Sequence, residues 1–175
     1  MIPVWAWVDT DLTAEECELL VKYGTDSLEV ANTGNNDVKK RQGKVSWFVK
    51  DRAPEIEPLL QRCVNAFGFG VKEHFGPSLK AFEPIQFTHY EPGDFYGWHY
   101  DAHAVPGRTP RHFSATVELC DPKTYSGGGL EFHSIEDAKP ERKQGRMIIF
   151  PSMLLHRAMR VDKGNRSSLV IWGRV

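Results

Sequence analysis

The chain has 175 residues, a net charge of −1 and 26% charged residues. That length suits one domain with a proper core, and the near-neutral balance argues against bulk electrostatic binding to nucleic acid or an anionic membrane. No apolar run approaches the roughly 20 residues of a membrane-spanning helix, and the separated cysteines Cys17, Cys63 and Cys120, with no C-x-x-C, suit idle thiols in a reducing, cytoplasmic setting rather than disulfides or a zinc site.

The N-terminal stretch M-I-P-V-W-A-W-V-D has no basic lead-in and no small-residue cleavage site, so it reads as a buried first strand rather than a signal peptide. Thr13-Ala14-Glu15-Glu16 reads as a capping box. Cys17, Leu19, Leu20 and Tyr23 follow at helical spacing and Gly24 is a stop, which predicts a helix over 13–23. Residues 24–44 are polar and rich in Gly and Asn, either a solvated excursion or a lid over substrate. Residues 45–49 read as a strand. Residues 54–68 predict a second helix, with Pro54 and Pro58 near its start and Ile56, Leu59, Leu60, Cys63, Val64 and Phe67 on one face. From residue 80 the pattern becomes a run of strands: 82–91, 95–100, 112–120, 129–133, 145–151, 154–161 and 167–174. Asp121-Pro122, Gly127-Gly128-Gly129 and Lys163-Gly164-Asn165 punctuate them. With 45–49 that makes about eight strands. The expected class is therefore mostly β with α: a jelly-roll barrel over residues 80–175, buttressed by N-terminal helices within residues 1–80. No repeat or linker divides the chain, so residues 1–175 are expected to form a single domain.

The chemistry centres on Tyr90 to Asp101, Y-E-P-G-D-F-Y-G-W-H-Y-D. His99 and Asp101 form an H-x-D pair, which strand alternation places on one face. Two ligands are too few for a metal, and His156, in the apolar run 148–156, is the best third. Two His and one carboxylate leave coordination positions open, as in non-haem Fe(II) oxygenases. Arg166 follows His156 by ten positions. Each residue alone has an ordinary structural explanation; the set and its order carry the argument.

Tyr90, His99, Asp101, the run Gly127-Gly128-Gly129-Leu130-Glu131-Phe132, His156, Arg166 and the final strand Ser167–Trp172 together resemble the Fe(II)- and 2-oxoglutarate-dependent oxygenases of the prolyl 4-hydroxylase group, including the compact bacterial and viral prolyl/lysyl hydroxylase-domain enzymes. The resemblance covers roughly residues 80–175 and implies a double-stranded β-helix. It implies that His99, Asp101 and His156 bind Fe(II), that Arg166 and Tyr90 hold the distal carboxylate of 2-oxoglutarate, and that O₂ is the oxidant with ascorbate as supporting reductant. Arginine suits a carboxylate because its planar fork bonds bidentately and stays charged. Family members often carry Lys at the position of Arg166, and some carry Thr at that of Leu130. Counting Fe(II), Asp101, 2-oxoglutarate and Arg166 gives a neutral assembly, which can be buried cheaply.

The implied reaction couples decarboxylation of 2-oxoglutarate, to succinate and CO₂, with hydroxylation of an unactivated C–H. Trp172, six after Arg166 where prolyl hydroxylases carry tryptophan, and Tyr96 are expected to bind substrate, a proline in a peptide or protein. Residues 102–111 could clamp an extended peptide together with residues 24–44; the other reading leaves Arg108 and Arg111 solvated. Lysyl or free amino-acid hydroxylation remains an alternative. A nucleic-acid demethylase would carry a second arginine where Trp172 stands. A zinc hydrolase built on His99, Asp101 and His103 would leave Arg166 and Tyr90 idle, and a non-catalytic jelly-roll module would have lost a ligand. A monomer or weak dimer is expected. His74, His89, His112 and His133 are read as structural.

Overall fold

Thr13 opens the first helix in the computed structural model, which describes residues 3–31, 40–48, 54–102, 109–133 and 139–175. Its hydroxyl accepts the Glu16 N–H at 3.2 Å, and the Glu16 carboxylate accepts the Thr13 N–H at 2.9 Å. The predicted capping box is therefore formed, and two otherwise orphaned donors are satisfied.

In chain order the described elements are β1 (Ala6–Asp9), α1 (Ala14–Thr25), β2 (Glu29–Val30), β3 (Arg41–Gln42), β4 (Lys44–Phe48), α2 (Glu57–Phe75), β5 (Ala81–Phe82), β6 (Ile85–Tyr90), β7 (Phe95–His99), β8 (Phe113–Glu118), β9 (Ser126–Gly127), β10 (Leu130–Phe132), β11 (Arg146–Pro151), β12 (His156–Ala158), β13 (Val161–Lys163) and β14 (Arg166–Arg174). The large sheet runs β1-β11-β8-β14-β6-β4-β2, with β5 also paired to β14. A smaller sheet runs β10-β12-β7-β3, and β13 pairs with β9. All pairings among the described residues are antiparallel.

The first strand exists, but it is an edge strand rather than a buried one: among the described residues it pairs only with β11, and Trp7 is half-exposed. Both helices outrun their predicted ends. Gly24 sits inside α1, and α2 continues through Gly68 and Gly70 to Phe75. Gly70 is a packing glycine, not a stop: a Cβ there would lie 2.4 Å from Ile149 Cδ1 and 3.0 Å from Val8 Cγ1. Close helix–sheet approach outweighs the poor helix propensity of glycine at this position. The helix ends at Gly76, whose φ of 96° and N–H bonds to Val71 O and Lys72 O close the last turn.

Alternation along β14 divides the molecule. Leu169 and Ile171 join Phe67, Cys63, Leu20, Phe87, Val117 and Ile149 in the core between the large sheet and the helices. Burying each large apolar side chain there contributes about 1.5–3 kcal/mol. Arg166, Ser168, Val170 and Trp172 face the other way, into a cavity enclosed by the small sheet. Seven of its nine residues are buried, which breaks the half-polar pattern of an ordinary antiparallel strand because β14 is central and covered on both sides. Of the predicted lid, residues 32–39 lie outside the described residues; the rest supplies the end of α1 and strands β2 and β3. Residues 103–108 also lie outside them, so the roles considered for His103 and Arg108 are not described.

Candidate metal centre and cavity

His99 ends β7 and His156 begins β12, directly opposite one another in register. Their rings lie 4.2 Å apart between centroids. His99 Nδ1 is 2.7 Å from Gly97 O, and His156 Nδ1 is 2.8 Å from Leu154 O. A carbonyl only accepts, so Nδ1 carries the proton in both rings and Nε2 keeps its lone pair. Both Nε2 atoms approach Asp101: His99 Nε2 is 3.5 Å from Oδ1, and His156 Nε2 is 3.6 Å from Oδ2. One ligand atom from each residue lies within 4.8 Å of the others, a set able to hold a metal ion.

Asp101 reaches this position differently from the simple strand alternation expected. It lies beyond the end of β7, where its N–H bonds Ser152 O at 2.9 Å. Trp172 Nε1 donates to Asp101 Oδ2 at 2.9 Å. Burial raises the cost of ionising Asp101, but His99, His156 and the Trp172 indole together outweigh it and hold the carboxyl well below the usual carboxylate range. Burial, opposed by Asp101, lowers the pKa of His156 and favours the neutral ring that ligation requires.

The three residues line a cavity of about 360 Å³, together with Tyr90, Tyr96, Arg166 and Trp172. Every site residue expected from the sequence thus meets in one space. Tyr96 stacks on His99, with centroids 3.5 Å apart and planes 11° apart. Three residues apart on a regular strand, these two would point to opposite faces. A bulge against β12, where His156 opposes His99 and Ala158 opposes Tyr96, turns both inward. Arg166 and Tyr90 are direct register partners on β14 and β6, and both are buried.

Sequence reasoning missed the partners of these residues. Arg166 Nε donates to Glu118 Oε2 at 3.0 Å, with both side chains buried. Burial alone would lower the arginine pKa; Glu118, with Tyr125 and Tyr90, raises it instead. The neutral assembly expected from the sequence therefore omitted Glu118, and counting it leaves the set one unit negative. Arg41, on β3 opposite Tyr96, lies 4.5 Å over the Tyr96 ring and donates to Gln86 Oε1 at 3.3 Å; among the described residues it has no carboxylate partner. Arg111 is not solvated: it makes a two-bond fork with Glu83 and lies 3.7 Å over the Trp172 ring. A glutamate ending the apolar strand Phe113–Glu118 was the available signal, since a buried acid needs a cation. Gly128, with φ of 67°, leaves room for this arrangement: a Cβ there would meet Val161 Cγ2 at 2.9 Å and Arg166 Cδ at 3.1 Å.

Two of the remaining histidines have structural partners. His89 bonds Ser167 Oγ at 2.9 Å, and His112 Nδ1 accepts the Val175 N–H at 3.0 Å. Cys17, Cys63 and Cys120 are free thiols. No helix among the described residues is long and apolar enough to cross a membrane.

Residues 85–174, just over half of the chain, match the profile of the 2OG-Fe(II) oxygenase superfamily. A PKHD-type hydroxylase of Crocosphaera subtropica is 28% identical over 94% of this chain and 76% of its own length. Another, of Klebsiella pneumoniae, is 33% identical over 74% of this chain, and the match spans only 60% of that protein. Among solved structures, the viral collagen prolyl hydroxylase from Paramecium bursaria Chlorella virus-1, in its 2OG complex, superposes with a TM-score of 0.77 at 20% identity, covering 99% of this chain and 97% of that one.

Proposed function

The chain belongs to the 2OG-Fe(II) oxygenase superfamily, and from that premise we propose that it hydroxylates proline in a peptide or protein, using Fe(II), 2-oxoglutarate and O₂. One observation carries the reading: His99, Asp101 and His156 converge on the wall of a cavity that also contains a buried arginine. Two imidazoles and one carboxylate suit ferrous iron and leave sites for the oxo acid and O₂.

Bound iron and 2-oxoglutarate would supply the oxidation of an unactivated C–H, with succinate and CO₂ as co-products and ascorbate sustaining turnover. The chain's own residues supply orientation and exclusion of water. Gly97 O and Leu154 O hold the two imidazoles with Nε2 toward the metal position. Trp172 ties up one oxygen of Asp101 and so fixes the carboxylate plane. Arg166, with Tyr90 beside it, would take the distal carboxylate of 2-oxoglutarate. Tyr96 and Trp172 would wall the target ring, Tyr96 while stacked on His99. No acid or base is required. Free thiols at all three cysteines support a reducing, cytoplasmic setting, and we propose a protein that works as a monomer or weak dimer.

Arg41 favours a second substrate for the same chemistry. A cavity-lining guanidinium without an acid among the described residues would suit the α-carboxylate of a free amino acid. The deciding experiment incubates the protein with Fe(II), 2-oxoglutarate, ascorbate and either proline-rich peptides or free L-proline. A gain of one oxygen on the peptide, matched by succinate, is expected. Hydroxylated free proline with untouched peptides would select the second reading, and no succinate with either would contradict the proline assignment.

A further inference from the structure

The geometry points to Glu118 as the positioning residue that sets how the acid-binding guanidinium presents itself, an inference that rests on Arg166 holding the distal carboxylate. A guanidinium can meet a carboxylate through its Nε/Nη edge or through its Nη1/Nη2 end. Here Glu118 Oε2 already takes Nε–H at 3.0 Å. Only the Nη end is left for an incoming acid.

The placement fits this division. Glu118 comes from β8, Arg166 from β14 and Tyr90 from β6, three adjacent strands of the large sheet. Arg166 lines the cavity that holds the metal centre and Glu118 does not; Glu118 lines a small space of about 20 Å³ that Arg166 also borders. Arg166 thus borders both spaces, with Thr116 and Leu130, whereas Glu118 borders only the smaller one. The Arg166 stem runs where a Cβ at position 128 would crowd Cδ at 3.1 Å, so Gly128 keeps that path open. Arg166 and Glu118 are 5% and 7% exposed, so neither has water as an easy alternative partner.

The pair has an electrostatic consequence. Glu118 neutralises Arg166 while the cavity holds no acid, which lets the cation be buried. The same negative charge opposes the incoming acid. Glu118 therefore gives up some attraction and gains a fixed direction, which selects an acid of one length. A lysine could not play this part alone: its single ammonium has no separate edge to offer Glu118.

The test measures binding of 2-oxoglutarate and of 2-oxoadipate, one methylene longer, to protein loaded with Mn(II) in the absence of O₂, with melting curves for each variant. Glu118→Gln keeps an acceptor for Nε–H and is expected to bind 2-oxoglutarate within about 3-fold of the wild type. Glu118→Leu loses it and is expected to weaken binding by roughly 10- to 100-fold, the scale of one hydrogen bond to a charged group, with reduced discrimination against 2-oxoadipate. Arg166→Lys is expected to weaken binding, and adding Glu118→Gln to recover most of that loss. Unchanged binding in Glu118→Leu, equal losses in the Gln and Leu variants, or strictly additive effects in the double variant would overturn the inference. Unchanged binding in Arg166→Ala would instead overturn the assignment of the acid to Arg166.

Discussion

The two imidazoles owe their orientation to backbone carbonyls, and the carboxylate between them owes its own to an indole. Trp172→Phe keeps most of the ring packing and removes the N–H donated to Asp101 Oδ2. Metal affinity is expected to fall by about 10- to 100-fold, as when other groups supporting metal ligands are removed. Isothermal titration with Mn(II) checks it, and an unchanged affinity would confine Trp172 to packing or substrate contact. Burial pushes the Cys17 and Cys63 thiols up to about 12. Both should resist iodoacetamide at pH 8 in the folded protein and react once it is denatured, as peptide mapping would show. At this scale His99, Asp101, His156 and Arg166 are legible in the sequence as a set, through their order and spacing rather than one by one. The sequence does not reveal which side chain answers which. Glu118 lies 48 residues from Arg166, and Trp172 could be foreseen as an aromatic wall but not as the donor to Asp101.

Among the elements, the bulge between β7 and β12 matters most for the site. It gathers Tyr96 and His99 on one face despite their odd spacing. A period of two along the strand cannot predict it, because a bulge depends on the partner strand. The helices show the converse. Thr13 and Glu16 signal a start through local hydrogen bonds, and the start is found where expected. Thr13→Ala should cost about 1 kcal/mol of stability in a chemical-denaturation curve. The predicted helix stops at residue 68, but α2 runs on to Phe75, and Gly70 within that extension answers to a distant strand. Gly70→Ala would gain helix propensity yet force a Cβ to 2.4 Å from Ile149 Cδ1. A net destabilisation of about 1–3 kcal/mol is expected from overpacking, and a stabilised variant would show that the helix can shift away.

Over the whole molecule, the jelly-roll plan was legible from the count and spacing of strands, whereas the charge distribution was not. Composition gives a net value, but the fold decides which charges are buried together. Glu83 illustrates this. It ties Arg111, beside Trp172, to Arg174 near the C-terminus. Burial raises its pKa, but bonds to Arg111 and charge from both arginines outweigh that and hold it below its ordinary value near 4.5. Its contribution to stability is therefore full above that value and is lost as pH falls through the lower folded one. Melting temperatures of the wild type and Glu83→Gln should differ at pH 7 and converge towards pH 3. A gap that persists at pH 3 would assign the effect to packing.

The most direct test is an anaerobic titration of Fe(II) and 2-oxoglutarate, followed by the visible charge-transfer band that forms when an oxo acid chelates ferrous iron. One iron and one 2-oxoglutarate per chain are predicted for the wild type, with loss of the band in His156→Ala. A full-strength band in His156→Ala at unchanged iron affinity would contradict the proposed centre.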